Sequence, residues 1–74
     1  MKILVKLFAN FRQGRFKVQE FELSVTTTCA EVAAMLKIAE AELGVVLVNG
    51  RHAQLAQPLR EGDTISLFPL VGGG

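Results

Sequence analysis

The segment Thr28-Cys29-Ala30-Glu31 decides the fold, because it begins a helix between two groups of predicted strands. Thr28 can cap this helix, and Glu31 can reach back to the cap, which is the capping-box pattern. Apolar residues then follow at helical spacing, at Val32, Met35, Leu36 and Ala39. The pattern predicts an amphipathic helix that begins at about Cys29 and ends near residue 37 or 38.

A strand and a turn begin the chain. Residues 2–8 alternate strictly between two faces. One face carries Ile3, Val5 and Leu7, which we expect to point into the core. A turn over residues 10–14 follows, ending at Gly14, which can adopt a positive φ.

A second strand pattern covers residues 15–23. It begins with Phe16 and Val18 in one phase and continues with Phe21 and Leu23 in the other. Since a one-residue shift turns a side chain to the opposite face, we predict a bulge near Gln19-Glu20. The two strands form an N-terminal β-hairpin.

Strand and turn signals also follow the helix. Val45-Val46-Leu47-Val48 is an apolar run typical of an interior strand, and Asn49-Gly50 is a strong hairpin-turn signal. A short return strand over residues 51–53 and a loop with a turn over residues 54–63 lead to a last strand, Thr64 to Phe68. Its core face carries Ile65 and Leu67.

The predicted order is β-β-α-β-β-β in a single domain. A right-handed crossover through the helix places the last strand parallel to the first, with the helix on the core face. This is an α+β arrangement, the β-grasp or ubiquitin-like fold, with a mixed sheet of about four to five strands. We expect the domain to cover residues 1–68 and an extended C-terminal tail to cover residues 69–74.

Composition excludes several function classes for the 74-residue chain. Eight Lys and Arg nearly balance seven Asp and Glu, and Trp and Tyr are missing, which argues against nucleic-acid binding. One Cys and one His cannot complete a zinc site or an internal disulfide, so we expect no bound metal or cofactor. No apolar run is long enough to span a membrane, and no signal peptide is evident. We expect a cytoplasmic protein that is monomeric when free.

The tail Pro69-Leu70-Val71-Gly72-Gly73-Gly74 is the candidate site of chemistry. Fully extended, it reaches about 20 Å. Gly72 and Gly73 lack Cβ atoms, so they suit passage through a narrow channel that brings the Gly74 carboxylate to another protein's active site. A functionless frayed end also explains terminal glycines, and the tail alone does not separate the two interpretations.

The whole chain resembles the ThiS/MoaD family of sulfur-carrier proteins, which share the β-grasp fold. The matching segments are Val5-Lys6-Leu7-Phe8-Ala9, Val46-Leu47-Val48-Asn49-Gly50, Pro58-Leu59, Glu61-Gly62-Asp63 and the ending from Leu67 to Gly74. The Phe8-Ala9 opening and the Leu67-Phe68-Pro69 ending resemble the molybdopterin synthase small-subunit (MoaD-like) branch more than the thiazole branch. Leu70 departs from that branch, where many members have a second proline.

The resemblance implies a carrier, or cosubstrate, that is not itself an enzyme. An E1-like adenylating enzyme (MoeB/ThiF-like) would use ATP and magnesium to activate Gly74, and a sulfur donor would convert the activated group to a thiocarboxylate. The acceptor would be a synthase subunit (MoaE-like) in molybdopterin or tungstopterin biosynthesis, in which this chain is the small subunit, or a thiazole synthase in thiamine biosynthesis. Two alternatives remain, a ubiquitin-like modifier joined through Gly74 to lysines and an interaction module with an inert tail.

Four further residues are predicted to contact partners, and two are not. Phe8 and Phe68 fall on the face opposite the core, where parallel strands place them together beside Pro69 and Leu70. We expect replacement of Phe68 to weaken partner binding strongly with little effect on melting. Cys29 is interpreted as core filler and His52 as a surface histidine.

Overall fold

The computed structural model describes residues 1–70 as a five-stranded sheet with one α-helix. The strands are β1 (Lys2–Leu7), β2 (Val18–Glu22), β3 (Leu43–Val48), β4 (Arg51–His52) and β5 (Thr64–Pro69), and the helix is α1 (Cys29–Met35). The sheet order is β2-β1-β5-β3-β4, with β1 and β5 parallel and the other neighbours antiparallel. The predicted mixed sheet and its parallel central pair are confirmed.

The core lies between α1 and one face of the sheet. Five side chains on the two central strands are fully buried, as their alternation predicts: Ile3, Val5, Leu7, Ile65 and Leu67. Cys29, Val32 and Ala33 of α1 cover them with no exposed surface of their own. The hydrophobic face of the sheet is therefore the helix side, and the other face is left to solvent or partners.

The helix begins as predicted and ends two residues early. The Thr28 hydroxyl accepts a hydrogen bond from the Glu31 backbone N–H at 3.2 Å, while the Glu31 carboxylate accepts one from the Thr28 N–H at 2.8 Å. At the other end, Lys37 has a φ of 61°, which stops the helix after Met35. The Arg15 side chain donates to the Leu36 carbonyl at 3.0 Å and so caps this end from outside.

The predicted bulge in β2 is wrong. Pairing with β1 runs without interruption from Lys2 opposite Glu22 to Lys6 opposite Val18. The strand begins at Val18, which pairs with Lys6 on the face opposite the core. Val18 therefore points away from the core and is 51% exposed. Phe16 lies in the loop before β2, outside the residues that pair with β1, and still packs against the core. The centroid of its ring is 5.6 Å from that of Phe21. The change of phase reflects this late start of the strand.

Two connections contain 3₁₀ helices. One covers Ala9–Arg12, overlapping the turn predicted over residues 10–14, and buries Phe11 in the core. The other covers Glu40–Glu42 and leads directly into β3. The Asn49-Gly50 turn is confirmed, since both residues have positive φ values of 52° and 81°. No helix within residues 1–70 is long and apolar enough to cross a membrane.

Candidate functional site at the root of the tail

The candidate site is the end of the sheet from which the predicted tail departs. Gly72, Gly73 and Gly74 lie outside the described residues, so their predicted roles stay predictions. The structure does describe the start of the tail, Pro69 and Leu70, and the two phenylalanines predicted beside it. We call this region, with its neighbours Arg12 and Gly44, the tail root.

Phe8 and Phe68 form the centre of the tail root. Leu7 pairs with Leu67 on the parallel strands β1 and β5, and the residue that follows each of them therefore lies on the opposite face. The two rings stack with their centroids 4.1 Å apart and their planes within 8°. The Phe8 N–H donates to the Leu67 carbonyl at 3.2 Å, which fixes the spacing of the two strand ends. The predicted pairing is confirmed, and each ring shields part of the other, so both are only partly exposed.

Arg12 adds a positive charge to the stack. Its guanidinium carbon lies 5.3 Å from the centroid of the Phe8 ring, in cation–π range. Its Nε donates to the Leu7 carbonyl at 2.7 Å, so the guanidinium is held in place rather than free to move into solvent. The sequence did not reveal this residue, because the 3₁₀ helix that returns Arg12 to Phe8 was predicted as a plain turn.

The first tail residues are held against β3. Pro69 is the last residue of β5 and pairs with Leu43, so the strand continues one residue past its predicted end at Phe68. A proline is tolerated there because it is at the end of the strand, where its missing N–H costs little. The Leu70 N–H then donates to the Glu42 carbonyl at 2.9 Å. The direction in which the chain leaves the domain is therefore set by backbone contacts.

Gly44 makes this contact possible. A Cβ atom at position 44 would lie 2.6 Å from the Pro69 carbonyl oxygen and 3.0 Å from the Leu70 Cα, closer than side chains normally approach. The β3–β5 register shifts between Leu43 and Val45, as expected where a glycine allows two backbones to approach. Sequence reasoning missed Gly44, although its position just before a β-branched run was an available signal.

The surface around the tail root mixes apolar and polar side chains. Val45 pairs with Phe68, and the next row across the same face contains Lys6, Ser66 and Leu47. Within residues 1–70 no group of three or more His, Cys, Asp or Glu side chains is placed to hold a metal ion. The arrangement can bind another protein and direct the tail, and it offers no assembled nucleophile or acid–base pair among the residues named.

Cys29 and His52 lie away from the tail root. Cys29 is the first residue of α1, and its side chain is fully buried against the sheet. Burial, with a smaller contribution from the negative charge of Asp63, raises the pKa of its thiol against the opposing effect of a backbone hydrogen bond. The interpretation of Cys29 as core filler is confirmed. His52 is exposed on β4, as predicted for a surface histidine.

Comparisons with known proteins agree with this geometry. The model of the ThiS family matches residues 5–74. A Pyrococcus furiosus protein assigned as molybdopterin converting factor subunit 1 is 29% identical, with a TM-score of 0.78 over 96% of this chain and 99% of its own. None of the curated proteins compared with the chain matches it.

Two further solved structures are similar. One is the complex of subunits 1 and 2 of the molybdopterin-converting factor from Helicobacter pylori, with 25% identity, full coverage of both chains and a TM-score of 0.67. The other is the small archaeal modifier protein 1 of Haloferax volcanii, with 22% identity, 95% and 98% coverage and a TM-score of 0.75. The second likeness shows the fold alone. Together these structures confirm the β-grasp prediction.

Replacing Gly44 by alanine is predicted to displace the start of the tail. The added Cβ cannot be accommodated against the Pro69 carbonyl without moving backbone, so we expect a loss of about 1–3 kcal/mol in the free energy of unfolding. Amide hydrogen exchange at Leu70 should accelerate as its bond to Glu42 is lost. Gly14→Ala is the control, because its φ of 67° also makes alanine unfavourable there, while no atom lies near its Cβ position. Unchanged Leu70 exchange in Gly44→Ala would contradict the proposed contact.

Cys29 is predicted to be unreactive in the folded protein. Alkylation by iodoacetamide should be very slow under native conditions and rapid in denaturant, because the thiol is buried and its pKa is raised. As the pH rises, the thiol ionises in the unfolded chain, at about pH 8.5, before it ionises in the folded protein. The free energy of unfolding should therefore decline above that pH. Cys29→Ala should lack this part of the decline. Rapid alkylation of the native protein would show that the thiol is accessible after all.

Proposed function

The chain belongs to the ThiS family, and we propose that it is a sulfur carrier whose Gly74 carboxylate is activated and converted to a thiocarboxylate. The observation that carries the proposal is the family match, which includes the terminal glycines as well as the domain. The tail root supports it, because Gly44 and the Leu70 amide give the chain a defined departure point beside an aromatic surface.

The proposed chemistry has two steps. The Gly74 carboxylate attacks the α-phosphorus of ATP and expels pyrophosphate, which leaves an acyl-adenylate with AMP as a good leaving group. Hydrosulfide, or a donor that delivers sulfur at the same oxidation level, then attacks the acyl carbon, AMP departs, and the thiocarboxylate remains on Gly74. ATP and magnesium are bound by an E1-like adenylating partner in this scheme. This chain contributes the acyl group and its positioning, and so acts as a cosubstrate rather than as the catalyst.

The sulfur acceptor we propose is a molybdopterin synthase large subunit. Two of the similar structures are molybdopterin converting factor subunits, and one of them is a complex of subunits 1 and 2. The Phe8–Phe68 stack is the surface that we expect both partners to cover in turn, with Pro69 and Leu70 contacting the partner and directing the residues that follow them into its channel. We place this pathway in the cytoplasm, a reducing compartment that suits a chain with a single free thiol.

The proposal is tested by the product on Gly74. Mass spectrometry of the protein isolated from cells should show a sulfur-for-oxygen exchange confined to Gly74. Glycine remnants on lysines of other proteins, with no thiocarboxylate, would instead identify a protein modifier and overturn the sulfur-carrier assignment. Normal growth and cofactor content with the tail deleted would identify an interaction module with an inert tail.

Deleting Gly73 and Gly74 is predicted to abolish ATP–pyrophosphate exchange by the activating enzyme without loss of the fold. The core of the domain is complete by Leu67, so the truncated chain should melt at nearly the same temperature. Adding one residue after Gly74 should be nearly as damaging, since it moves the carboxylate by about 3.5 Å. Exchange that persists in the truncated protein would show that Gly74 is not the activated group.

Phe68→Ala is predicted to weaken binding to the activating enzyme by about thirtyfold. The expectation of unchanged melting needs correction, because Phe68 stacks on Phe8 instead of projecting freely into water. A loss of about 1–2 kcal/mol of stability is therefore expected as well. Phe16→Ala is the matched control, since Phe16 also contacts a second ring but packs against the core. Equal losses of affinity in the two variants would show that stability, and not the tail-root surface, determines binding.

If sulfur travels only on Gly74, Cys29→Ser should leave sulfur transfer unchanged. The assay is single-turnover formation of thiocarboxylate with the activating enzyme and a sulfur donor. Complete loss of transfer in a folded Cys29→Ser protein would indicate a persulfide relay through this thiol. Because Cys29 is buried, such a relay would require the core to open.

A further inference from the structure

A groove of about 600 Å³ lies at the end of the sheet opposite the tail root. It is lined by Asn49, Arg51, His52, Gln57, Arg60 and Asp63, together with Val48 and Pro58. β5 begins beside the groove at Thr64 and ends at the tail root with Pro69, so the two regions are separated by about 17 Å along this strand.

Side-chain hydrogen bonds assemble the groove from two separate loops. The Asn49 side chain donates to the Asp63 carboxylate at 2.8 Å and accepts from the Thr64 N–H at 2.9 Å. The other oxygen of Asp63 accepts from the Arg60 backbone N–H at 2.9 Å. These bonds fix the hairpin turn that carries Arg51 against the loop that carries Arg60. This hydrogen-bond network places Arg51 and Arg60 beside the same groove.

The charges of this groove are unbalanced. Within residues 1–70 the guanidinium groups of Arg51 and Arg60 have no hydrogen bond or ion-pair partner, whereas Arg12 and Arg15 donate to backbone carbonyls. Asp63 contributes one negative charge, and both of its oxygens already accept hydrogen bonds. The groove therefore carries a net positive charge.

We propose that this groove binds an acidic segment of a protein partner, through the carboxylates of neighbouring Asp or Glu side chains. A guanidinium can donate two parallel hydrogen bonds to one carboxylate in a bidentate pair. The side chains of Arg51 and Arg60 both line this groove. Nucleic acid fits less well, because its affinity requires many phosphate contacts, while the chain has a net charge of only +1 and no Trp or Tyr.

This binding is independent of the proposed sulfur chemistry and adds a second point of attachment. A partner that contacts the tail root and also places acidic residues in the groove would hold the sheet at both ends. Opposite charges also accelerate encounter, which benefits a carrier that must exchange one partner for another.

The test uses the full-length ¹⁵N-labelled protein and a hexaglutamate peptide as the probe. Titration followed by NMR should give saturable shifts at the Nε–H signals of Arg51 and Arg60 and at the backbone amides of residues 49–52. The shifts should weaken as sodium chloride is added, since the contacts are between exposed charges. Absence of a saturable shift at these positions would overturn the proposal.

Paired variants separate the groove from general charge attraction. Arg51→Gln combined with Arg60→Gln should weaken peptide binding roughly tenfold. Lys17→Gln combined with Lys37→Gln removes the same charge outside the groove and should leave binding nearly unchanged. Equal weakening by both pairs, or tighter binding of an oligonucleotide of equal charge, would overturn an acidic-protein site. Deletion of Gly73 and Gly74 should leave peptide binding intact, so failure of this proposal is distinguishable from failure of the sulfur-carrier assignment.

Discussion

The parallel pairing of β1 with β5 is the constraint on which the rest of the structure depends. It joins residues about sixty positions apart, with Val5 opposite Ile65 and Leu7 opposite Leu67, and so brings two fully buried strand faces together under the helix. Because the strands run in the same direction, both finish at the same end of the sheet. The tail therefore leaves the domain beside Phe8, and the aromatic stack is a consequence of strand direction.

Local signals predicted most of the fold. The alternation in β1 and β5, the Thr28 capping box and the Asn49-Gly50 turn each depend on residues within a few positions of one another, and all were confirmed. The stack of Phe8 on Phe68 was also predictable, because it follows from strand phase once the parallel crossover is assumed. These features required no knowledge of distant contacts beyond the topology itself.

The parts of the candidate site that sequence reasoning missed arise from contacts between distant segments. Gly44 matters because the Pro69 backbone approaches it, and Arg12 matters because a 3₁₀ helix returns it to Phe8. The false bulge in β2 has the same origin, since Phe16 reaches the core from a loop and only appeared to belong to the strand. The alternation of apolar residues shows which face each side chain occupies only when the ends of the strand are known. In β2 the start of the strand is set by tertiary packing, which the alternation does not reveal.

The division between a packed domain and a C-terminal tail suits the proposed chemistry. An acyl-adenylate is open to attack by any thiolate that can reach it, and the only thiol in the chain, that of Cys29, is buried between α1 and the sheet, with its pKa raised by burial. The domain then has no nucleophilic thiol that competes with the sulfur donor for the acyl group. Its exposed surfaces remain available for recognition, with aromatic rings at the tail root and arginines at the far end of the sheet. In the proposed scheme the partners supply all of the chemistry, and the core that stabilises the domain takes no part in the reaction.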